Sequence, residues 1–251
     1  MDLQKANMWK RIAAWLLDAM LTCVIAVGFI AALSAMLGYE SHNSALQAAY
    51  ARYETQYGVQ FNLTQDEYLA MSEEDLKPYQ QAYEALVADE TVLYEYNMVI
   101  NLSLMITTVG ILLGMLCTEF IVPLLLKNGQ TLGKRAFSIA LVRQDSVRIT
   151  TMQLFVRTVL GKYTVETMIP VYMFLMFIWG MLDLTGVIVV AALLVAQLVC
   201  LAVNRHNAAI HDLLAGTVAV DMPSQKIFQS TDELIEYKNR LQAEHAARQD
   251  Y

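Results

Sequence analysis

Four polar side chains interrupt runs that are otherwise fit for lipid: Asp18, Glu119, Glu166 and Gln197. An ionised carboxylate inside such a run costs roughly 2.5–3.5 kcal/mol at mid-helix, so each must face protein or water. Depth relates three of them. Asp18 lies seven residues from Arg11 and Gln197 seven from Asn204, both roughly 10 Å from the polar end of a helix. Glu119 lies eight residues from Lys127, roughly 12 Å, while Glu166, four beyond Lys162, is shallower at about 6 Å. Two segments also share the pattern Glu-x-x-x-Pro, Glu119/Pro123 and Glu166/Pro170. A proline cannot donate to the carbonyl four residues back, so the glutamate's own carbonyl loses its helical partner. A carboxylate beside a freed carbonyl is an oxygen-rich spot for a cation, a proton or water. Two readings follow: Asp18, Glu119, Glu166 and Gln197 form a relay, or they form a polar cluster that pins helices together.

A second constellation lies at the polar ends of these runs. Arg11 and Asp18, seven apart, share one helix face. The Arg11 fork suits a carboxylate, and Asp212, with His211 beside it, is its natural partner. We expect a direct or one-water Arg11–Asp212 latch, with Asp18 above it. A His-Asp pair is not by itself catalytic, and the chain has no serine elbow, no HExxH and no cysteine pair. Cys23, Cys117 and Cys200 fall in three different apolar runs and read as packing residues. Gly129-Gln-Thr-Leu-Gly133-Lys134 lacks the spacing of a phosphate loop. The expectation is a protein without catalytic residues, metal or cofactor, and without a nucleic-acid partner.

The elements that position these groups are membrane spans. Of the 251 residues, 57% are hydrophobic and 16% charged, too apolar for an ordinary soluble domain. Spans are expected at approximately 12–37, 97–126, 165–182 and 187–203. The first is too long for a cleaved signal peptide and contains Asp18, so it reads as retained. Charge is segregated between them. Residues 38–96 carry eleven carboxylates against Arg52 and Lys77, and residues 127–162 carry seven basic groups against Asp145. The positive-inside rule places the basic stretch and both termini in the cytoplasm and the acidic one outside.

Within the acidic stretch, a capping box at Thr64 with Glu67 predicts a short helix, Ser72 with Asp75 is a weaker form of the same signal, and Ala82 to Glu95 is expected to run straight into the second span. It reads as a solvated helical cap with tyrosines at the headgroups; a cation-attracting vestibule is the alternative. In the basic stretch, Leu132–Phe137 suits the membrane surface. Ser138–Arg143 alternates like a strand that Val147–Thr150 can pair as a hairpin, with Thr217–Asp221 extending it. Thr150 or Thr151 can cap a helix reaching Gly161. A tight outer turn is expected from Asp183 to Gly186, and a cytoplasmic exit at Asn204–Asn207. The tail from Ser230, with i,i+4 pairs Glu236/Arg240 and Glu244/Arg248, reads as a solvated helix.

Three segments in order resemble the RDD family of small membrane proteins. Arg11 and Asp18 match the arginine and aspartate of its first helix. Asn128–Val142, NGQTLGKRAFSIALV, resembles the segment after its second helix, and Ala209–Thr217 its closing HD segment, which makes Asp212 the second aspartate. The resemblance covers roughly residues 8–221; residues 38–96 and 222–251 look like an acidic insertion and a cytoplasmic tail added to it. It implies a multi-pass protein of the plasma (inner) membrane and suggests transport, cation/proton exchange included. The expected architecture is an all-α membrane protein with four transmembrane helices, a small cytoplasmic β element and an extracytoplasmic helical cap. The leading functional expectation is transport of a cation or other small solute coupled to protons, with the bilayer, a monovalent cation or proton, and a second copy of the chain as partners. The alternative is a membrane scaffold or assembly factor in which the buried polar groups only lock the helices.

Overall fold

The computed structural model describes residues 3–126, 129–178, 184–203 and 208–249. They divide into two compact units, Met1–Ala26 with Ile111–Tyr251, and Val27–Gly110. Most of the chain is helical, with one two-stranded sheet. Lys127, Asn128, the exit at Asn204–Asn207, the end of the expected third span after Ile178 and Asp183 of the expected outer turn lie outside the described residues, while Leu184 to Gly186 of that turn are helical.

Helix α1 spans Met8–Met36. It starts where the Asn7 side chain accepts from the Trp9 N–H at 2.9 Å. Helices α2 (Tyr39–Tyr57), α3 (Gln65–Leu69) and α4 (Glu73–Ala88) follow. Thr64 and Glu67 form a full capping box, and Ser72 caps α4 by accepting from the Asp75 N–H. Leu46, Leu86 and Val92 form a small core of this unit, edged by Tyr50, Tyr53 and Phe61. Its acidic groups are partly paired, Asp89 with Arg52 at 2.9 Å and Glu95 with His42 at 2.7 Å.

Helix α4 does not run on into the next one. The Asp89 carboxylate accepts from the N–H groups of Thr91 and Val92 at 2.9 and 3.4 Å, which stops one helix and starts α5, Glu90–Met115. Helix α5 passes into a π-helical stretch, Leu116–Ile121, and then α6, Val122–Leu126. Helix α1 and the run Glu90–Leu126 are long and apolar enough to cross a bilayer.

After α7 (Leu132–Ala136) and β1 (Ile139–Arg143), a Thr150–Gln153 capping box opens α8, Thr151–Phe155. A π-helical stretch, Val156–Met168, continues it into α9, Ile169–Ile178. The helix expected to begin at Val165 therefore starts at Thr151, with no break between the capped segment and the apolar one. Helices α10 (Leu184–Val203) and α11 (Ile210–Ala215) lead to β2, Thr217–Asp221.

Strands β1 and β2 pair antiparallel, Ile139 opposite Asp221 and Arg143 opposite Thr217. This corrects the expected hairpin: Val147–Thr150 returns to β1 through a single bridge, Val142 to Arg148. Both sheet faces are covered. Ile139, Leu141 and Ala219 pack on Ala6 and Ala14 of the N-terminal segment and α1, while Ala140, Val142, Val218 and Val220 meet Leu3 and Ile227. Lys5 also bridges to Val220. Helix α12 (Thr231–Gln249) is not wholly solvated either: Phe228 just before it and Leu234 within it are buried with Val147. Arg240 lies over the Tyr237 ring rather than against Glu236.

Candidate functional site

The site is assembled from α1, the π-helical stretches, α7 and α11. Asp212 sits in the first turn of α11 with 2% of its surface exposed. Its Oδ1 accepts from Arg157 Nε at 2.8 Å and from the Thr217 hydroxyl at 3.2 Å. Arg11 reaches Oδ2 at 3.7 Å, an ion pair beyond hydrogen-bond distance. Arg157 is therefore the primary partner of Asp212, and Arg11 the second. The same guanidinium places Nη1 3.5 Å from Glu119 Oε2 and Nη2 2.9 Å from His211 Nε2. A guanidinium can only donate, so His211 Nε2 accepts and Nδ1 carries the proton, donating to the Glu166 carboxylate at 2.7 Å. Burial holds the His211 imidazole below its ordinary pKa against the pull of Asp212, with Arg157 adding to the lowering.

Glu119 is the second hub. Lys162 donates to its Oε1, and Lys134 stands 3.7 Å from Oε2. The carbonyl that Pro123 leaves without a helical donor is not open: the Thr158 hydroxyl donates to it at 2.9 Å. A neighbouring helix thus supplies a hydrogen bond to the Glu119 carbonyl.

Asp18 is the third. It accepts from the Thr131 hydroxyl and, at 2.7 Å, from the Gly133 N–H, with Lys134 3.5 Å away. Thr131 is also the N-cap of α7, so one carboxylate on α1 anchors the start of another helix. A Cβ at Gly133 would clash with the Ala14 carbonyl and sit 2.8 Å from Asp18 Cγ, so glycine alone allows this approach. Gly161 does the same for α11, where a Cβ would lie 2.5 Å from that of His211. Gly133 and Lys134 form the buried face of this short helix, while Leu132, Arg135 and Ala136 are exposed. Burial lowers the Lys134 pKa to about 8, against Glu119 and with Lys162 and Arg157.

The network holds four carboxylates, Asp18, Glu119, Glu166 and Asp212, and four cations, Arg11, Lys134, Arg157 and Lys162. With His211 neutral they balance. The structure thus brings Asp18, Glu119 and Glu166 into one network, but through basic side chains rather than to one another. Gln197 stands apart from the ion pairs and accepts from the Ile210 N–H at 3.2 Å, fastening α10 to α11. Lys134, Arg157 and Lys162 were legible only as positive charge, and Thr131 carried no signal as a partner of Asp18. The signal that distinguishes two of them is an adjoining glycine, Gly133 before Lys134 and Gly161 before Lys162. Among the described residues no group of His, Cys, Asp and Glu forms a metal site.

Two cavities adjoin the network. One of about 410 Å³ is lined by Arg11, Lys134, Arg157, Lys162, Glu166 and Asp212 among others. The other, of about 580 Å³, is walled mainly by apolar side chains such as Ala19, Val190, Leu193 and Leu194. They share Trp15, Lys162, Glu166 and Gln197. Both volumes fall within the roughly 300–1,000 Å³ of ligand-binding clefts.

In comparison with known proteins, the sequence model of the RDD family matches residues 5–216. No curated protein and no solved structure matches the chain.

Proposed function

The chain belongs to the RDD family of membrane proteins, and from that premise we propose that it moves a small solute through its two adjoining cavities, with Glu166 and His211 handling a proton between them. The observation that carries this is the shared wall: Glu166 and Gln197 face both cavities, and Glu166 holds the imidazole that Arg157 orients. On this reading the chain crosses the inner membrane four times, α9 and α10 supplying the third and fourth crossings, with both termini in the cytoplasm. It acts without catalysis, and four spans are few for a transporter, so it works as a homo-oligomer. Glu166 is the relay group, Glu119 and Gln197 line the path, and Asp18, which lines neither cavity, is an anchor. A net excess of cations on the charged cavity's wall favours a solute other than a free metal cation.

The test is flux in liposomes containing the purified chain and a pH-sensitive dye, under imposed gradients of Na⁺, K⁺ or organic anions. The expected result is a solute-dependent dye response that Glu166→Gln abolishes while the variant stays folded. A response unchanged in Glu166→Gln would end the relay. A second reading is supported by the pairing itself. Asp18, Glu119 and Asp212 are each satisfied by hydroxyl, backbone or basic partners, as a helix lock requires. A folded chain with no flux under any gradient would select that scaffold.

A further inference from the structure

The walls of the two cavities differ in charge. The smaller presents four basic groups and two carboxylates, Glu166 and Asp212, a formal excess of +2 with His211 neutral. The carboxylates that balance Lys134 and Lys162 are set back: Asp18 lines neither cavity, and Glu119 lines only the larger. Beyond the shared boundary, the larger cavity is bounded mainly by apolar side chains, Ala19, Cys23, Val190, Leu193 and Leu194 among them, with Glu119 its one charged residue. A basic chamber opening onto an apolar one is complementary to a molecule with an anionic head and a hydrocarbon chain. Neither a free anion nor a hydrated cation accounts for both halves, because each leaves the larger chamber without a matching group.

We propose that the two cavities are one binding site for an anionic phospholipid of the inner leaflet, its phosphate against Arg11 and Lys134 and a chain along Val190, Leu193 and Leu194. Basic groups at the cytoplasmic side of a membrane protein meet phosphate as charge-assisted donors. Trp15, on the shared boundary, is of the side-chain type that favours the glycerol region of a lipid. Glu166 stands beside the head and opposes it, so the site holds such a lipid loosely enough to release it. The inference names the solute class of the site proposed above and rests on that site being one continuous space. It does not depend on flux.

The experiment is equilibrium binding to the full chain in detergent, read as the shift of thermal unfolding with added phosphatidylglycerol, phosphatidylcholine or inorganic phosphate. Phosphatidylglycerol is expected to give a saturable upward shift, at least tenfold lower in midpoint concentration than phosphatidylcholine, and inorganic phosphate none. Leu193→Trp, which fills the apolar chamber, should weaken phosphatidylglycerol at least tenfold. Glu166→Gln keeps the acceptor for His211 and should tighten it several-fold, so the proposal stays testable if the tryptophan variant fails to fold. Equal binding of the two lipids, a matching effect of inorganic phosphate, or unchanged affinity in Glu166→Gln would each overturn it. Failure here with flux intact would leave transport standing for another solute.

Discussion

Arg157 is the residue on which the buried charges depend. It is 2% exposed and reaches Asp212, His211 and Glu119 through three separate nitrogens, Nε, Nη2 and Nη1, a planar fork that a lysine's compact ammonium does not offer. Removing one side of a buried pair costs about 3–5 kcal/mol because the other charge is stranded. Arg157→Ala and Asp212→Ala should each cost that much, and the double variant should be far less than additive in a thermal-unfolding cycle. The Arg11–Asp212 cycle should show a smaller coupling, since that pair is longer and more exposed. An equal or larger coupling for Arg11 would reverse the ranking. Lys134 supplies a pH test. Its pKa of about 8 lies below the ordinary lysine value, so the unfolded chain binds more protons above pH 8 and stability should rise with pH from there towards 10. Lys134→Met should flatten that rise, and a rise of the same slope in the variant would assign it elsewhere. Arg11, Asp18, Glu119, Glu166, His211 and Asp212 were legible because a charge within or beside an apolar run is costly enough to require a partner. Their basic partners were hidden because a lysine in a loop is usually solvated, and its sequence neighbours do not reveal burial.

At the scale of elements, short capping interactions decide where helices begin. The Thr64, Ser72 and Thr150 caps were readable as local patterns, whereas the break at Asp89 was not, since the flanking periodicity continues through it. The π-helical stretches were equally hidden; the contacts they carry, the Thr158 bond to the Glu119 carbonyl and the close approach at Gly161, are made between helices and leave no local pattern. The docking of α7 on α1 is the most exacting junction. Gly133→Ala should displace α7 from Asp18 and expose residues 129–143 to hydrogen exchange at least tenfold faster, while α2 to α4, in the other compact unit, keep their protection. Asp18→Asn should do the same more weakly, because the amide oxygen still accepts from the Gly133 N–H while the amide nitrogen facing Thr131 can only donate to its hydroxyl oxygen. Unchanged exchange in both variants would show that the junction is held by other contacts.

For the molecule as a whole, charge segregation sets an orientation that can be checked directly. With Cys23, Cys117 and Cys200 replaced by alanine, single cysteines at the exposed positions Glu74 and Gln144 are offered an impermeant thiol reagent in intact cells. Glu74→Cys should label at once and Gln144→Cys only after permeabilisation, because residues 127–162 carry the basic excess. The reverse pattern would invert the topology. The sheet has a matching role: it joins the N-terminal segment, the stretch after α7, the residues after α11 and the start of the tail. Chain segments far apart in sequence thus close into one small β element.

The sequence alone determined the membrane character, the family, the acidic and basic segments, and the polar groups that had to find partners. These follow from transfer free energies and helical periodicity, which act on each segment separately. Only the tertiary structure decided which partners they found. It set Arg157 before Arg11 on Asp212, joined Lys134 to both Asp18 and Glu119, and paired β1 with β2 instead of its neighbour. The first two choices go with backbones approaching within a glycine's width at Gly161 and Gly133, and such approaches depend on the packing of whole helices rather than on the residues beside them.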